Sequence, residues 1–198
     1  MLFFNYSKYP PYQHYGVVDK NNKLVHYTPV PLPGPRLPHD MAFTKNYSIL
    51  ADLPMFWDEE KLPENKYHPH YHPDMPTRFA IIPRYGNQED IQWFEAKATY
   101  VLHWMNAYEE GDEIVLDGYF QDQPNPPPLA GLPPGPGKLM SNIDLMSLQT
   151  KLHRWRFNLK TGETSEEHLD DQVLEFGSFN QKYAGIKNRY NYSVYNKP

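Results

Sequence analysis

Cysteine is absent from this chain of 198 residues. Its absence excludes disulfide-stapled scaffolds, zinc sites built on thiolates and enzymes with a cysteine nucleophile. The sequence also lacks an apolar run long enough to cross a bilayer and a signal-peptide pattern at its amino terminus. These absences predict a soluble, cytoplasmic protein.

An excess of positive charge is also lacking. Lys and Arg number 19 against 24 Asp and Glu, so the formal net charge is −5. A nucleic-acid-binding protein needs a basic face, and an anionic membrane surface attracts basic clusters. The sequence therefore predicts that nucleic acid is not a partner. A weak membrane contact through the apolar residues of the loop at 129–132 stays open as an alternative to a plain surface loop.

Aromatic residues and prolines are abundant instead. The aromatic share is 15%, with 16 Tyr, and there are 21 Pro. Aromatic enrichment with frequent turn residues favours strands over helices. Strand-like runs recur in pairs around turns, and this spacing predicts an all-β sandwich, barrel or propeller. The predicted hairpins are 15–19 with 24–28, 41–44 with 47–52, 78–84 with 91–95 and 100–105 with 112–117, followed by strands at 152–158, 172–176 and 189–194.

Two segments interrupt this pattern. Residues 58–77 are rich in Pro and His, and residues 121–137 contain seven prolines and three glycines. So many backbone breakers exclude a packed element there. A short helix is predicted at 138–150. Strand patterning resumes after each segment, so the sequence predicts a single domain over 1–198.

Common catalytic signatures are missing, and the nine histidines are more informative. His39 precedes a predicted hairpin, and His103 lies in the predicted strand 100–105. From the pattern alone, a hydrogen-bonded histidine in a core or groove is the favoured interpretation of each. Imidazole is also a common ligand of iron, zinc and copper, so two histidines at adjoining strand ends remain a possible metal pair.

Three ordered blocks of the sequence match the pattern of a known family. The block Pro38-His-Asp-Met-Ala-Phe-Thr-Lys-Asn-Tyr-Ser48 is similar to the segment around the second iron-binding histidine of the carotenoid cleavage oxygenases. The stretch from Arg78 to Asp112 is similar to the one that bears the third. The stretch from Leu152 to Tyr190 resembles the next blade. Together the blocks cover nearly the whole chain.

The resemblance implies a seven-bladed β-propeller with one Fe(II) on its axis, held by four histidines and no carboxylate. His39 and His103 match the second and third ligands. Glu175 matches a glutamate that accepts a hydrogen bond from a ligand histidine. The implied reaction uses O2 to cleave a carbon–carbon double bond of an apocarotenoid or a stilbene-type phenylpropanoid into two carbonyl products. Phe56, Trp57 and Trp104 are candidates for lining a substrate tunnel or for packing in the core.

The length predicts an incomplete propeller. A blade takes about 40–50 residues, so the chain corresponds to about three to four blades. By the resemblance it is the central part of the oxygenase domain, truncated at both ends, and the other two histidines lie outside it. Residues 1–198 alone are therefore expected to bind iron poorly and to show no turnover.

Other functions and features stay open. An isomerohydrolase of retinyl esters with the same fold is a second enzyme hypothesis, and a non-catalytic β-rich binding module or remnant is a third. His68-Pro-His-Tyr-His72 is predicted to be solvent-exposed, and Glu109 and Glu110 to decorate a hairpin tip. Gly177 stands where the family usually has proline, which predicts a looser chain beside Glu175.

Overall fold

The computed structural model describes residues 1–57, 60, 69–124 and 149–195. These residues form a structure built almost entirely of β-strands. The strands are β1 (Leu2–Tyr6), β2 (Tyr12–Val18), β3 (Leu24–Pro31), β4 (Ala42–Phe43), β5 (Tyr47–Asp52), β6 (Met55–Trp57), β7 (Pro69–Tyr71), β8 (Thr77–Pro83), β9 (Gln92–Ala96), β10 (Trp104–Glu110), β11 (Glu113–Phe120), β12 (Lys151–Asn158), β13 (Thr164–His168), β14 (Leu174–Ser178) and β15 (Tyr192–Tyr195).

The strands pair in chain order into antiparallel sheets. Two sheets have four strands, in the orders β4-β5-β8-β9 and β10-β11-β12-β13. A three-stranded sheet, β1-β2-β3, precedes them, a two-stranded sheet, β14-β15, follows them, and β6 and β7 form a separate hairpin. Successive four-stranded antiparallel sheets are the blades of a propeller. The predicted fold, a partial β-propeller of about three to four blades, is confirmed.

Burial explains why these strands form. In β12 the side chains of His153, Trp155 and Phe157 are buried and alternate with the partly exposed Arg154 and Arg156. This period of two is the pattern of a strand with one face in the core. The neighbouring strand β11 is buried along nearly its whole length because it lies inside its sheet.

Neighbouring blades share apolar cores. Phe79 of the first four-stranded sheet lies 5.9 Å from Trp104 and 5.7 Å from Trp155, both of the second, between ring centroids. The first sheet packs in the same way against its neighbour, with Tyr15, Val17 and Val30 set against Leu50, Ala80 and Ile82. The sheets of neighbouring blades therefore pack against one another through shared apolar side chains.

The prediction that His103 lies inside a strand at 100–105 is wrong. The strand begins at Trp104, and residues 99–102 form a connecting segment. This segment is apolar because it is buried between blades, where the hydroxyl of Tyr100 donates to the carbonyl of Leu37 and the N–H of Thr99 donates to Thr77 Oγ1. A buried connecting segment and a buried strand are both rich in apolar residues, so the sequence pattern did not distinguish them.

Most of the helix predicted at 138–150 lies outside the described residues, as does the proline-rich loop from residue 125 onward. Gln149 and Thr150, which are described, are not helical. In the described part of the chain, helical structure consists of the 3-10 turns Gln88–Asp90 and Gln181–Tyr183. No helix there has the length and apolar character needed to cross a membrane.

Candidate metal centre

His39 lies in the segment that leads into β4, and its side chain is exposed. Its Nδ1 atom is 2.7 Å from the carbonyl oxygen of Leu102. A carbonyl oxygen only accepts hydrogen bonds, so Nδ1 carries the proton. In the neutral ring, the lone pair that could bind a metal is therefore on Nε2.

His103 immediately precedes β10 and has the same tautomer for a different reason. Its Nδ1 atom lies 2.9 Å from Oε2 of Glu175, in β14. The side chain of Glu175 is fully buried, whereas 32% of the His103 side chain is exposed. The carboxylate accepts the Nδ1 proton, so the lone pair of His103 is also on Nε2.

The two imidazoles are neighbours in space. Their ring centroids are 5.1 Å apart and their planes are nearly perpendicular, at 86°. The segments that carry them are joined by a hydrogen bond of 3.2 Å from the backbone N–H of Trp104 to Asp40 Oδ2. The structure thus brings together all three predicted site residues, although the chain separates His103 from Glu175 by 72 positions.

Phe176 belongs to the same site, and the sequence analysis did not single it out. Its backbone φ is +53°, in the left-handed region that non-glycine residues rarely adopt. This conformation directs its N–H to Glu175 Oε2 at 2.6 Å and leaves its ring 5.1 Å from the ring of His103. A β-bulge between Glu175 and Ser178 accompanies it, and bulges commonly redirect side chains beside active sites.

The second oxygen of Glu175 is different. Oε1 is buried and has no hydrogen-bond partner within the part of the chain that the structure describes. A buried carboxylate oxygen without a donor is costly.

Gly177 is a position of close packing. A Cβ atom at this position would lie 2.7 Å from the hydroxyl oxygen of Tyr119 and 2.8 Å from Sδ of Met105. The residue therefore has a steric reason to be glycine, set by neighbours on β10 and β11. That it loosens the chain beside Glu175 stays a prediction.

The structure places two of the three aromatic candidates. Trp104 packs against Trp155 with ring centroids 5.6 Å apart, as a partly buried residue at the edge of the core. Phe56 lies 3.7 Å from the guanidinium carbon of Arg36 and 4.3 Å from the ring of His72. The side chain of Trp57 lies outside the described residues.

The histidine-rich segment is partly as predicted. His70 is exposed, whereas His72 is partly buried because it stacks on Phe56. His68 lies outside the described residues. Among the residues that are described, no three His, Cys, Asp or Glu side chains converge as a metal-binding group.

Glu109 is not the surface decoration that was predicted. Its carboxylate accepts hydrogen bonds from Thr44 Oγ1 at 2.6 Å and from the backbone and side-chain nitrogens of Asn46 at 2.8 Å each. These bonds tie β10 to the β4–β5 turn of the preceding blade. Burial opposes ionisation, but the donors from Thr44 and Asn46 hold the pKa of Glu109 below its usual value.

A small apolar pocket lies beside the two histidines. Its volume is about 170 Å³, and the residues that follow each histidine, Asp40 and Trp104, form part of its wall. Met105 and Phe179 add apolar surface. An apolar wall with a few polar groups is the usual character of a small-molecule site.

Comparison with known proteins identifies the family. The family model described as Retinal pigment epithelial membrane protein matches residues 1–198. The carotenoid 9,10(9',10')-cleavage dioxygenase 1 of Arabidopsis thaliana is 34% identical over 196 residues, which is 98% of this chain and 35% of that protein. The isoeugenol monooxygenase of Pseudomonas putida is 30% identical over 188 residues, covering 93% of this chain and 37% of that protein.

A solved structure supports the same assignment. The lignostilbene dioxygenase of Pseudomonas brassicacearum superimposes with a TM-score of 0.81 at 25% identity, covering all of this chain and 41% of that one. The chain thus spans roughly 35–41% of the length of these relatives. With a family model matched from its first residue to its last, the chain belongs to the retinal pigment epithelial membrane protein family, in which the carotenoid cleavage dioxygenases are its relatives.

Proposed function

We propose that the protein functions as a non-haem Fe(II) dioxygenase that cleaves a carbon–carbon double bond of an apocarotenoid or stilbene-type substrate into two carbonyl products. The observation that carries the proposal is the pair of adjacent imidazoles, His39 and His103, whose Nδ1 protons are both held by acceptors. The relatives support it, since their names give carotenoids, isoeugenol or lignostilbenes as the molecules on which they act.

The donor set suits iron. Neutral imidazole is a common ligand of first-row metals, and each ring has its lone pair on Nε2. Glu175 is hydrogen-bonded to Nδ1 of His103, so in this proposal it orients a ligand and is not a ligand itself. Two imidazoles are an incomplete set, and the remaining ligands would come from residues beyond 1–198. Bound Fe(II) would supply the activation of dioxygen.

The surrounding residues of the chain would hold this centre in place. Glu175 fixes the tautomer and orientation of the His103 ring, and the carbonyl of Leu102 does the same for His39. The ring of Phe176 packs against one side of the His103 ring, with the ring centroids 5.1 Å apart. The pocket beside the pair, with Trp104 and Phe179 in its wall, would receive an apolar part of the alkene.

Labelled dioxygen tests the reaction. The polypeptide would be prepared with residues 1–198 continued by their natural flanks, loaded with Fe(II) and supplied with ¹⁸O2 and a stilbene or apocarotenoid. We expect ¹⁸O in the carbonyl products. An isomerohydrolase would release an alcohol without label from dioxygen, and that result, or intact alkene with iron bound, would overturn the proposal.

Metal binding by residues 1–198 tests the ligands separately. We expect Co²⁺, used as a spectroscopic probe, to bind weakly to residues 1–198. The Co²⁺ absorbance that arises from binding to the two histidines should be lost in each of the variants His39→Ala and His103→Ala. His14→Ala is the matched control, because His14 stacks on Tyr27 of β3, away from the site. Binding that is unchanged in His103→Ala would contradict the assignment, and turnover by residues 1–198 alone would contradict the expected need for further ligands.

A further inference from the structure

A second pair of histidines lies outside the candidate site. His153 of β12 and His168 of β13 stand directly opposite each other in the antiparallel register. Their Nδ1 atoms are 2.9 Å apart, and their ring centroids are 4.6 Å apart. Directly opposed residues on one face of a sheet are the closest cross-strand neighbours, so the strand pairing itself sets this distance.

Glu166 fixes the tautomer of His153. Its Oε2 atom lies 3.1 Å from Nε2 of His153, and its Oε1 atom accepts a hydrogen bond of 2.9 Å from the backbone N–H of Lys97. The carboxylate accepts the Nε2 proton, so in the neutral ring the lone pair of Nδ1 points at His168.

Aromatic neighbours hold both rings in place. His153 is 2% exposed, and its ring lies 4.8 Å from Phe120 and 4.4 Å from Trp155. The ring of His168 meets Phe120 edge-on at 5.3 Å, and its side chain reaches the surface. The pair therefore combines a rigid buried ring with an accessible one.

We propose that His153 and His168 form a bis-imidazole site for a late first-row divalent cation, above all Cu²⁺, with Glu166 as the orienting carboxylate. Solvent would complete the coordination shell. The cation takes the place of the proton between the two Nδ1 atoms, and His168 stays neutral by carrying that proton on Nε2 instead. The carboxylate–histidine arrangement matches that of metal-binding histidines, whose second nitrogen usually donates to a carboxylate or carbonyl.

The geometry selects among cations. Two metal–nitrogen bonds of about 2.0 Å at a right angle place the nitrogens about 2.8 Å apart, whereas a tetrahedral angle needs about 3.3 Å. The observed separation between the Nδ1 atoms is 2.9 Å. Tetragonal Cu²⁺ uses right angles, and it also heads the affinity order of the divalent series. We therefore expect Cu²⁺ to bind more tightly than Zn²⁺.

Copper titration of residues 1–198 at pH 7.5 tests the site, with calorimetry and electron paramagnetic resonance as readouts. We expect wild type to bind one more equivalent of Cu²⁺ than His168→Gln, a variant whose surface position spares the fold. Glu166→Gln should weaken that equivalent by about 10–100-fold, the usual effect of removing such a carboxylate. His14→Gln, which removes a histidine stacked on Tyr27 elsewhere, should bind as wild type does.

Two results for the His168-dependent equivalent, and a third for a double variant, would overturn the proposal. One is equal stoichiometry and affinity for Cu²⁺ in wild type and His168→Gln. The other is tighter binding of Zn²⁺ than of Cu²⁺ at the His168-dependent site. The variant His39→Gln/His103→Gln separates this site from the proposed iron ligands, because it should retain the His168-dependent equivalent. Loss of that equivalent in the double variant would also contradict the assignment.

Discussion

The carboxylate of Glu175 accepts the Nδ1 proton of His103 at 2.9 Å, and it is fully buried while the imidazole is 32% exposed. The same carboxylate oxygen accepts the N–H of Phe176 at 2.6 Å. Two donors thus fix one oxygen from different directions. This arrangement determines the orientation of the ring that we propose as an iron ligand.

Glu175→Gln tests that orientation. The amide group of glutamine turns either a weaker oxygen acceptor or an N–H₂ donor toward His103, and the donor form would force the ring into the other tautomer. We expect metal affinity at the pair to fall by about 10–100-fold, as it does when such carboxylates are removed. Co²⁺ titration measures the affinity, and ¹⁵N NMR of the imidazole reports the tautomer.

Glu95→Gln is the matched control for this change, because Glu95 is exposed on β9. It should leave both the metal affinity and the His103 signals unchanged. If Glu175→Gln behaves like this control, the hydrogen bond seen in the structure has no part in metal binding.

Phe176 allows backbone strain to be measured separately from the ring. Phe176→Ala and Phe176→Gly both remove the ring, but only alanine must keep a Cβ atom at φ +53°. A left-handed residue with a Cβ atom costs about 1–2 kcal/mol, and glycine avoids that cost. We therefore expect Phe176→Gly to be about 1 kcal/mol more stable than Phe176→Ala in urea denaturation.

The reverse order of stability would show that the segment relaxes to an ordinary conformation once the ring is gone. In that case the left-handed backbone would depend on the packing of Phe176 over His103, and not on the bulge between Glu175 and Ser178.

Local sequence patterns were enough to place most strands. The predicted run 47–52 has the same bounds as β5, and the predicted run 78–84 differs from β8 by one residue at each end. In these strands the apolar residues alternate or cluster between clear turn residues, so the sequence of the segment itself is enough to predict the strand. The residues 100–105 were misassigned because burial between blades produces apolar sequence without requiring a strand.

The residues of the candidate site were also predictable only in part. His39, His103 and Glu175 came from resemblance to a family, since no local pattern links residues 72 positions apart. The left-handed backbone of Phe176 and the facing of His153 and His168 depend on a bulge and on strand register. Both are set by tertiary packing, and the periodicity of a single segment gives no information about that packing.

Gly118→Ala tests the packing of Trp104 at the edge of the core. A Cβ atom at position 118 would lie 2.6 Å from Cε3 of Trp104, so the indole must move. Overpacking of this kind costs about 1–3 kcal/mol. We expect a loss of that size in urea denaturation, and a smaller loss when the same change is made in a Trp104→Leu background. Equal losses in the two backgrounds would mean that Trp104 is not what limits the space.

Glu109 should make the contact between blades sensitive to acid. The pKa of Glu109 in the folded state is lowered by the donors from Thr44 and Asn46, which outweigh burial, so the folded state prefers the ionised form. The stabilisation is present above the pKa of an unfolded glutamate, about 4.3, and is lost as the pH falls through the lower pKa of the folded state.

The variant Glu109→Gln tests this dependence on pH. Between pH 6 and pH 3 we expect the free energy of unfolding of wild type to fall by on the order of 1 kcal/mol more than that of Glu109→Gln, allowing for partial screening by solvent. Urea denaturation at both pH values measures the difference, with the exposed Glu89→Gln as the control that should follow wild type. A Glu109→Gln curve parallel to wild type would show that the carboxylate contributes no ionised-state stabilisation between the blades.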